Sequence, residues 1–203
     1  MTWVKVCGLK EEADVAVAVD AGADAVGFVL AEGSPRQISG DRAAALMDGV
    51  PVLKVLVTTH LDPREAAAVM EATGADAIQA HGRHAAETAE AGSAAGWFVL
   101  RPVSMGGETP EPDPATVPDD QVPLLDSSEG RRLGGTGSPF DWNAVPELSR
   151  RFVLAGGLSQ DNVAAAIREV RPWGVDASSG LEASRGAKDP GRVVAFIQEA
   201  KRA

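Results

Sequence analysis

Ala21-Gly22-Ala23-Asp24-Ala25-Val26-Gly27-Phe28-Val29-Leu30 closes an alanine-rich helical stretch on a glycine and enters a β-type run at once. Glycine takes the left-handed conformation that ends a helix without steric cost. Further on, Thr73-Gly74-Ala75-Asp76-Ala77 is a near copy of Ala21 to Ala25. A junction that recurs in this way marks one strand-helix unit used repeatedly. Outward from the two copies, eight β-type runs can be read: Trp3–Cys7, Ala25–Leu30, Val52–Val57, Ala77–Ala80, Gly96–Leu100, Val122–Asp126, Arg151–Ala155 and Gly174–Asp176. Most are continuously apolar rather than alternating, as expected of parallel strands buried on both faces.

Amphipathic stretches separate these runs: Glu11–Ala21, Asp41–Met47, Pro63–Thr73, His84–Ala95, Asn143–Arg150, Asn162–Val170 and Pro190–Ala200. Asp62 suits an N-cap with Pro63 at the first helical position, Ser159 can cap the Asn162 helix, and Asp141 can cap the one starting at Asn143. Between Leu100 and Val122 stand Pro102, Pro110, Pro112, Pro114 and Pro118. Proline disrupts helix interiors, so the fifth helix is expected to be degenerate or absent. Eight strand-helix units predict an α/β fold, a closed (β/α)8 TIM barrel forming a single domain over residues 1–203. An open doubly wound sheet is the alternative, but it would carry a glycine fingerprint after the first strand, where Cys7-Gly8-Leu9-Lys10 stands.

The chain has 203 residues, 44% of them hydrophobic, and a formal net charge of −10. That balance argues against nucleic acid and anionic membranes as partners, and any bound anion needs a local site that overcomes the global field. A single cysteine excludes an internal disulfide and fits a reducing compartment. No segment approaches the roughly 20 apolar residues of a membrane helix, and the N-terminus carries no signal-like pattern. The expected location is the cytoplasm.

In a barrel, the C-terminal strand ends and the loops after them carry the chemistry. Cys7 ends the first strand, Ser34-Pro35-Arg36 follows the second, Gln79-Ala80-His81-Gly82 ends the fourth and Asp126 ends the sixth. Leu133-Gly134-Gly135-Thr136-Gly137 follows the sixth, Gly156-Gly157 ends the seventh and Asp176-Ala177-Ser178-Ser179-Gly180 ends the eighth. Gly156, Gly157, Ser178, Ser179 and Gly180 suit a phosphate: glycines admit close approach of backbone N–H groups, serines add donors, and a short helix after the eighth strand would aim its positive end inward. Taken singly, such residues are also ordinary turn formers. Cys7 and Asp126 can serve as a base and an acid, although a lone cysteine can equally be a small core residue. Arg36 offers a planar fork for a carboxylate; a solvated surface position is its plain alternative. His81 either orients a substrate or bonds a backbone carbonyl at the rim, and the rim role is favoured. Histidine, cysteine and carboxylates show no metal-ligand spacing, so no metal and no cofactor are expected.

In order and spacing, these pieces resemble the phosphoribosylanthranilate isomerase family of tryptophan biosynthesis. The resemblance rests on Lys5-Val6-Cys7-Gly8-Leu9, Ala23–Val29, Ser34-Pro35-Arg36, Gln79-Ala80-His81-Gly82, Leu125-Asp126, Gly134–Gly137 with Phe140-Asp141-Trp142, Leu154–Leu158 with Asn162-Val163, and Gly174-Val175-Asp176 with Ser178-Ser179-Gly180. It implies a barrel of the ribulose-phosphate-binding type and an Amadori rearrangement of N-(5-phosphoribosyl)anthranilate. It further implies Asp126 as general acid and Cys7 as general base. Arg36, Gly135 and Asp176 would bind substrate, and the loops of strands 7 and 8 the phosphate. The partner is then a small phosphosugar, and the protein is a monomer or a homodimer. Leu30, Ala80, Ala31-Glu32-Gly33 and Ala177 depart from residues common in the family and are expected to open space near the ligand and remove a positive charge. The related sugar isomerase of histidine biosynthesis is the competing enzyme; it resembles this chain but uses an aspartate where Cys7 stands, and Val57-Thr58-Thr59-His60 offers no second glycine-rich phosphate loop. A non-catalytic phosphosugar-binding barrel is the competing binder; such a barrel would have lost Cys7 or Asp126.

Overall fold

Both copies of the helix-to-strand junction tie a new strand to the one before it through the same aspartate. Asp24 accepts a hydrogen bond from the Val4 N–H at 2.7 Å and donates its own N–H to the Val4 carbonyl at 2.9 Å. Asp76 repeats this on Lys54, accepting at 3.0 Å and donating at 3.0 Å. The computed structural model describes residues 1–107, 109–127 and 141–203.

Eight parallel strands close into a barrel in chain order: β1 (Trp3–Cys7), β2 (Ala25–Val29), β3 (Leu53–Thr59), β4 (Ala77–His81), β5 (Phe98–Ser104), β6 (Gln121–Asp126), β7 (Val153–Leu154) and β8 (Gly174–Ala177). Helices α1 (Glu12–Asp20), α2 (Gly40–Met47), α3 (Pro63–Thr73), α4 (Ala85–Ala94), α5 (Val163–Val170) and α6 (Pro190–Arg202) cover the outside. A short antiparallel hairpin, β9 (Glu182–Ser184) and β10 (Ala187–Lys188), follows β8. The α3 start shows the expected chemistry: Asp62 accepts from the N–H groups of Arg64 and Glu65, Glu65 reaches back to Asp62, and Pro63 stands first. This is a capping box, which satisfies donors that a helix start leaves orphaned.

The strand interiors alternate. Val4, Val6, Val26, Phe28, Leu56 and Ile78 pack outward against the helices, while Ala25, Val55, Ala77, Leu100, Leu124 and Val153 fill the barrel. Its N-terminal end is plugged by aromatics, Trp3 stacking on Trp173 with ring centroids 5.0 Å apart and Phe98 tilted against both.

Three local expectations change. Asn143–Arg150 is not a helix: a single 3-10 turn, Trp142–Ala144, is all that forms, with Asp141 accepting from Asn143 N–H. Pro146 is the reason, because it bars the residue before it from helical conformation, and Val145 is extended at ψ 119°. Ser159 does not cap α5; its hydroxyl accepts from Asp161 N–H, and the helix starts after Asn162. β5 runs past Leu100 to Ser104 and so includes Pro102. Beyond Leu100 it pairs with β6 but no longer with β4, and a strand with one open side tolerates a missing N–H. No α-helix follows β5 among the described residues, only a 3-10 turn at Pro114–Thr116. That agrees with the proline run.

Candidate active site

At the C-terminal mouth of the barrel lies a cleft of about 820 Å³, measured to its open mouth. Its wall includes Cys7 from β1, Arg36 from the loop after β2, His81 from β4, Asp126 from β6, and Asp176 from β8. Gly156, Gly157, Ser178 and Ser179 complete the side formed by the β7 and β8 loops. Gly180 does not line the cleft; it lies so close to the Leu158 carbonyl that a Cβ could not fit between them. Gly135, with its neighbours 133–137, lies outside the described residues. Among the described residues no three His, Cys, Asp or Glu side chains gather as a metal ion requires. No helix among them is long and apolar enough to cross a membrane.

Beneath Cys7 is a residue that motif reading passed over. Lys5 is fully buried, and its ammonium donates to Asp176 Oδ2 at 3.0 Å and to Gln79 Oε1 at 3.0 Å. The signal was present in β1: Lys5 and Cys7 are two residues apart and therefore share the inward face. Burial pushes the ammonium down, but the Asp176 carboxylate and then the Cys7 thiol more than reverse it, leaving Lys5 above the usual lysine value. For Cys7 the balance runs the other way. Burial pushes the thiol up, and the attraction of Lys5 and Lys188 recovers only part of it, so the thiol sits above its ordinary range. The second oxygen of Asp176, Oδ1, is buried without a hydrogen-bond partner among the described residues.

The lysine also decides the state of His81. An ammonium only donates, so Gln79 must turn its oxygen to Lys5 and its amide N–H groups toward His81, whose Nε2 lies 3.0 Å from Gln79 Nε2. His81 Nε2 is then the acceptor and its proton is on Nδ1. Burial, with Lys5 and Arg101 nearby, pushes the imidazole down to about 4. A protonated ring would set N–H against N–H. His81 thus belongs to an interior chain, Asp176 to Lys5 to Gln79 to His81, and faces the cleft. The rim-carbonyl role expected for it is not what its ring makes.

Arg36 is buried rather than solvated. Its Nε donates to Glu182 Oε1 at 2.5 Å and one terminal nitrogen to Glu182 Oε2 at 3.2 Å. On the side formed by the β7 and β8 loops, Gly156 and Gly157 both take positive φ, 81° and 69°, a turn open only to glycine at low cost. Asn162 braces it, donating to the Gly157 carbonyl at 3.0 Å and accepting from Ser159 N–H at 2.8 Å. The Ser178 hydroxyl donates to the Cys7 carbonyl at 3.0 Å, so its single proton ties β8 to β1. Only one 3-10 turn, Ser179–Leu181, follows β8, too short for the helix dipole expected there; backbone N–H groups and the Ser179 hydroxyl are the donors this loop offers. The departures fall on two sides of the wall. Ala31 lines the cleft and Ala177 both lines it and packs into the outward core, but Ala80 and Leu30 belong to that core without reaching the cleft, since each alternates with inward neighbours. Those two do not open space near a ligand.

The chain matches a family model described as N-(5'-phosphoribosyl)anthranilate (PRA) isomerase over residues 4–199. The N-(5'-phosphoribosyl)anthranilate isomerase of Thiobacillus denitrificans is 40% identical over 206 residues, covering 98% of this chain and 97% of the relative. A crystal structure of phosphoribosyl anthranilate isomerase from Thermotoga maritima aligns at TM-score 0.87 and 35% identity over 100% of both chains. Another crystal structure, of a phosphoribosyl anthranilate isomerase in complex with reduced 1-(o-carboxyphenylamino)-1-deoxyribulose 5-phosphate, aligns at TM-score 0.81 and 33% identity, again over 100% of both chains.

Proposed function

Since this chain belongs to the N-(5'-phosphoribosyl)anthranilate isomerase family, we propose that it catalyses the Amadori rearrangement of N-(5-phosphoribosyl)anthranilate in tryptophan biosynthesis, with Asp126 as general acid and Cys7 as general base. The product is 1-(2-carboxyphenylamino)-1-deoxyribulose 5-phosphate. The observation that carries the reading is that one cleft is lined by a thiol, a carboxyl, an arginine and a glycine-serine cradle together. That set matches a substrate with a reacting sugar between two anionic ends.

Asp126 gives its proton to the furanose ring oxygen, the C1–O bond breaks, and the nitrogen lone pair closes a C1=N Schiff base. The Cys7 thiolate takes the C2 proton, and the C–H electrons form the C1=C2 bond of an enolamine, which tautomerises to the ketone. The two groups project from β1 and β6, with β7 and β8 between them on the shorter way round the barrel, so acid and base need not compete for one atom. Burial keeps the resting thiol protonated; Lys5 and Lys188 are the cations that bring its thiolate within reach. Asp176, which lines the cleft, takes a sugar hydroxyl. Arg36 takes the anthranilate carboxylate, and the β7 and β8 loops take the phosphate.

The test is loss of substrate fluorescence with phosphoribosylanthranilate generated in place. Wild type turns over. Asp126→Asn does not, and Cys7→Ser loses at least roughly 10²-fold in kcat while still binding a reduced product analogue. Near-full activity in Cys7→Ser would overturn the base assignment, and a folded wild type without turnover would overturn the reaction.

A further inference from the structure

Resting on the assignment of Arg36 to the substrate carboxylate, we infer that Glu182 is a positioning residue that aims the Arg36 guanidinium and makes the enzyme selective for a carboxylated aryl amine. Glu182 grips one edge of the guanidinium, Nε at 2.5 Å and a terminal nitrogen at 3.2 Å. A guanidinium has five N–H donors in a fixed plane. With that edge taken, the remaining donors lie on the two terminal nitrogens, a second fork suited to a carboxylate. Arg36 lines the cleft while Glu182 does not, so the carboxylate of the pair stays behind the cation.

Glu182 is itself held on all sides. Its Oε1 also takes Lys188 Nζ at 3.4 Å, and its Oε2 takes the Gly186 N–H at 2.9 Å. Lys188 continues to the Ser178 carbonyl at 2.9 Å, next to the phosphate loop. Although burial pushes the Glu182 carboxyl up, the Arg36 and Gly186 hydrogen bonds hold it below its usual value. Four donors converge on two oxygens, and only a carboxylate accepts them all. The hairpin β9–β10 thus exists, on this view, to deliver one carboxylate behind one arginine. Arg36, Lys188 and Glu182 together leave a net positive spot in a chain of charge −10.

Glu182→Gln keeps the shape but turns an amide N–H group against two of those donors. The probes are phosphoribosylanthranilate and its analogue without the carboxylate, made by condensing ribose 5-phosphate with aniline, which releases one water. The expected result is a rise of roughly tenfold or more in KM for the anthranilate substrate, the scale of one charge-assisted contact, with a much smaller fall in kcat/KM for the aniline substrate. Arg36→Met should show the same selectivity, and adding Glu182→Gln to it should change nothing further. Equal losses on both substrates in Glu182→Gln, with Arg36→Met still selective, would overturn the positioning role and leave the Arg36 assignment standing. Equal losses in Arg36→Met would overturn both. Should Glu182→Gln fail to fold, Glu182→Asp, which keeps the charge and withdraws it by one methylene, carries the same comparison.

Discussion

Gly27 stands beside Cys7 across the β1–β2 ladder, and a methyl group there asks whether the place of the sulfur sets the rate. A Cβ on Gly27 would lie 2.9 Å from Cys7 Sγ, 3.2 Å from Cys7 Cα and 3.2 Å from Lys5 Cε, where ordinary contact begins at 3.4 Å. The Cα has nowhere to go, since β1 is paired on both sides. The sulfur therefore retreats by about half an ångström or turns to another rotamer. A displacement of ~1 Å can cost about 10²-fold, so half of that predicts roughly a tenfold fall in kcat for Gly27→Ala. Overpacking should also cost about 1–3 kcal/mol of stability, read separately by denaturant unfolding. KM should stay near wild type, because Arg36 and the phosphate loops are not touched by the methyl group. The decisive control is Cys7→Ser, alone and with Gly27→Ala: without the base, the methyl group has little left to displace. A folded Gly27→Ala enzyme with wild-type kcat, or one that slows Cys7→Ser by the same factor as wild type, would refute the reasoning.

The pH profile tests Lys5. Activity should rise with pH as the Cys7 thiol ionises, along a limb above the ordinary thiol range, and Lys5→Gln should move that limb higher because it removes a cation that pulls the thiol down; an unmoved limb would free Cys7 of Lys5. His81 makes stability acid-sensitive. With its imidazole pushed down to about 4, the unfolded chain takes up a proton near 6.5 that the folded chain refuses, so stability falls as pH drops from 6.5 toward 4. Between pH 6.5 and 5 the loss attributable to His81 is about 1.6 kcal/mol, and urea unfolding of His81→Gln at both pH values should show it missing. Gly180→Ala drives a Cβ into the Leu158 carbonyl, so the β7 and β8 loops must part; inorganic phosphate should then inhibit at least roughly tenfold less well, and an unchanged inhibition constant would detach that close approach from phosphate binding.

Most of the barrel was legible because it is periodic. The junction at Gly22 and its copy at Gly74 mark the unit, and the prolines after Leu100 mark where the unit loses its helix. Where legibility failed, a local conflict decided. Asn143–Arg150 carries helix formers in Ala144, Glu147, Leu148 and Arg150, but Pro146 disfavours helical conformation at Val145, and one imino acid outweighs them. The extension of β5 through Pro102 was not legible, since the cost of a proline in a strand depends on whether another strand lies beside it, which no local pattern records.

The site divides along the same line. Cys7, Asp126, Gly156 and Ser178 announce themselves by lying at strand ends, where polar residues interrupt apolar runs. Lys5 and Glu182 do not. Lys5 sits between Val4 and Val6 and reads as one charge in a buried strand, a cost without a reason until Asp176 and Gln79, 171 and 74 residues away, supply its partners. Glu182 lies past the last motif, 146 residues from the arginine it holds. The groups proposed to touch substrate can be found by their position in one strand. Those that hold them in place are defined by pairs, and closure of β8 onto β1 is what brings Asp176 to Lys5 and the hairpin to Arg36. A lysine inside an apolar strand, two residues before a thiol, is nonetheless a signal that can be read forward. An ammonium costs several kcal/mol to bury alone, so the sequence that keeps one there must provide a carboxylate on another inward face, and the candidates at strand ends are few. Asp126 and Asp176 both qualify at strand ends, and the pairing of β8 with β1, which sets Asp176 opposite Lys5, selects the second.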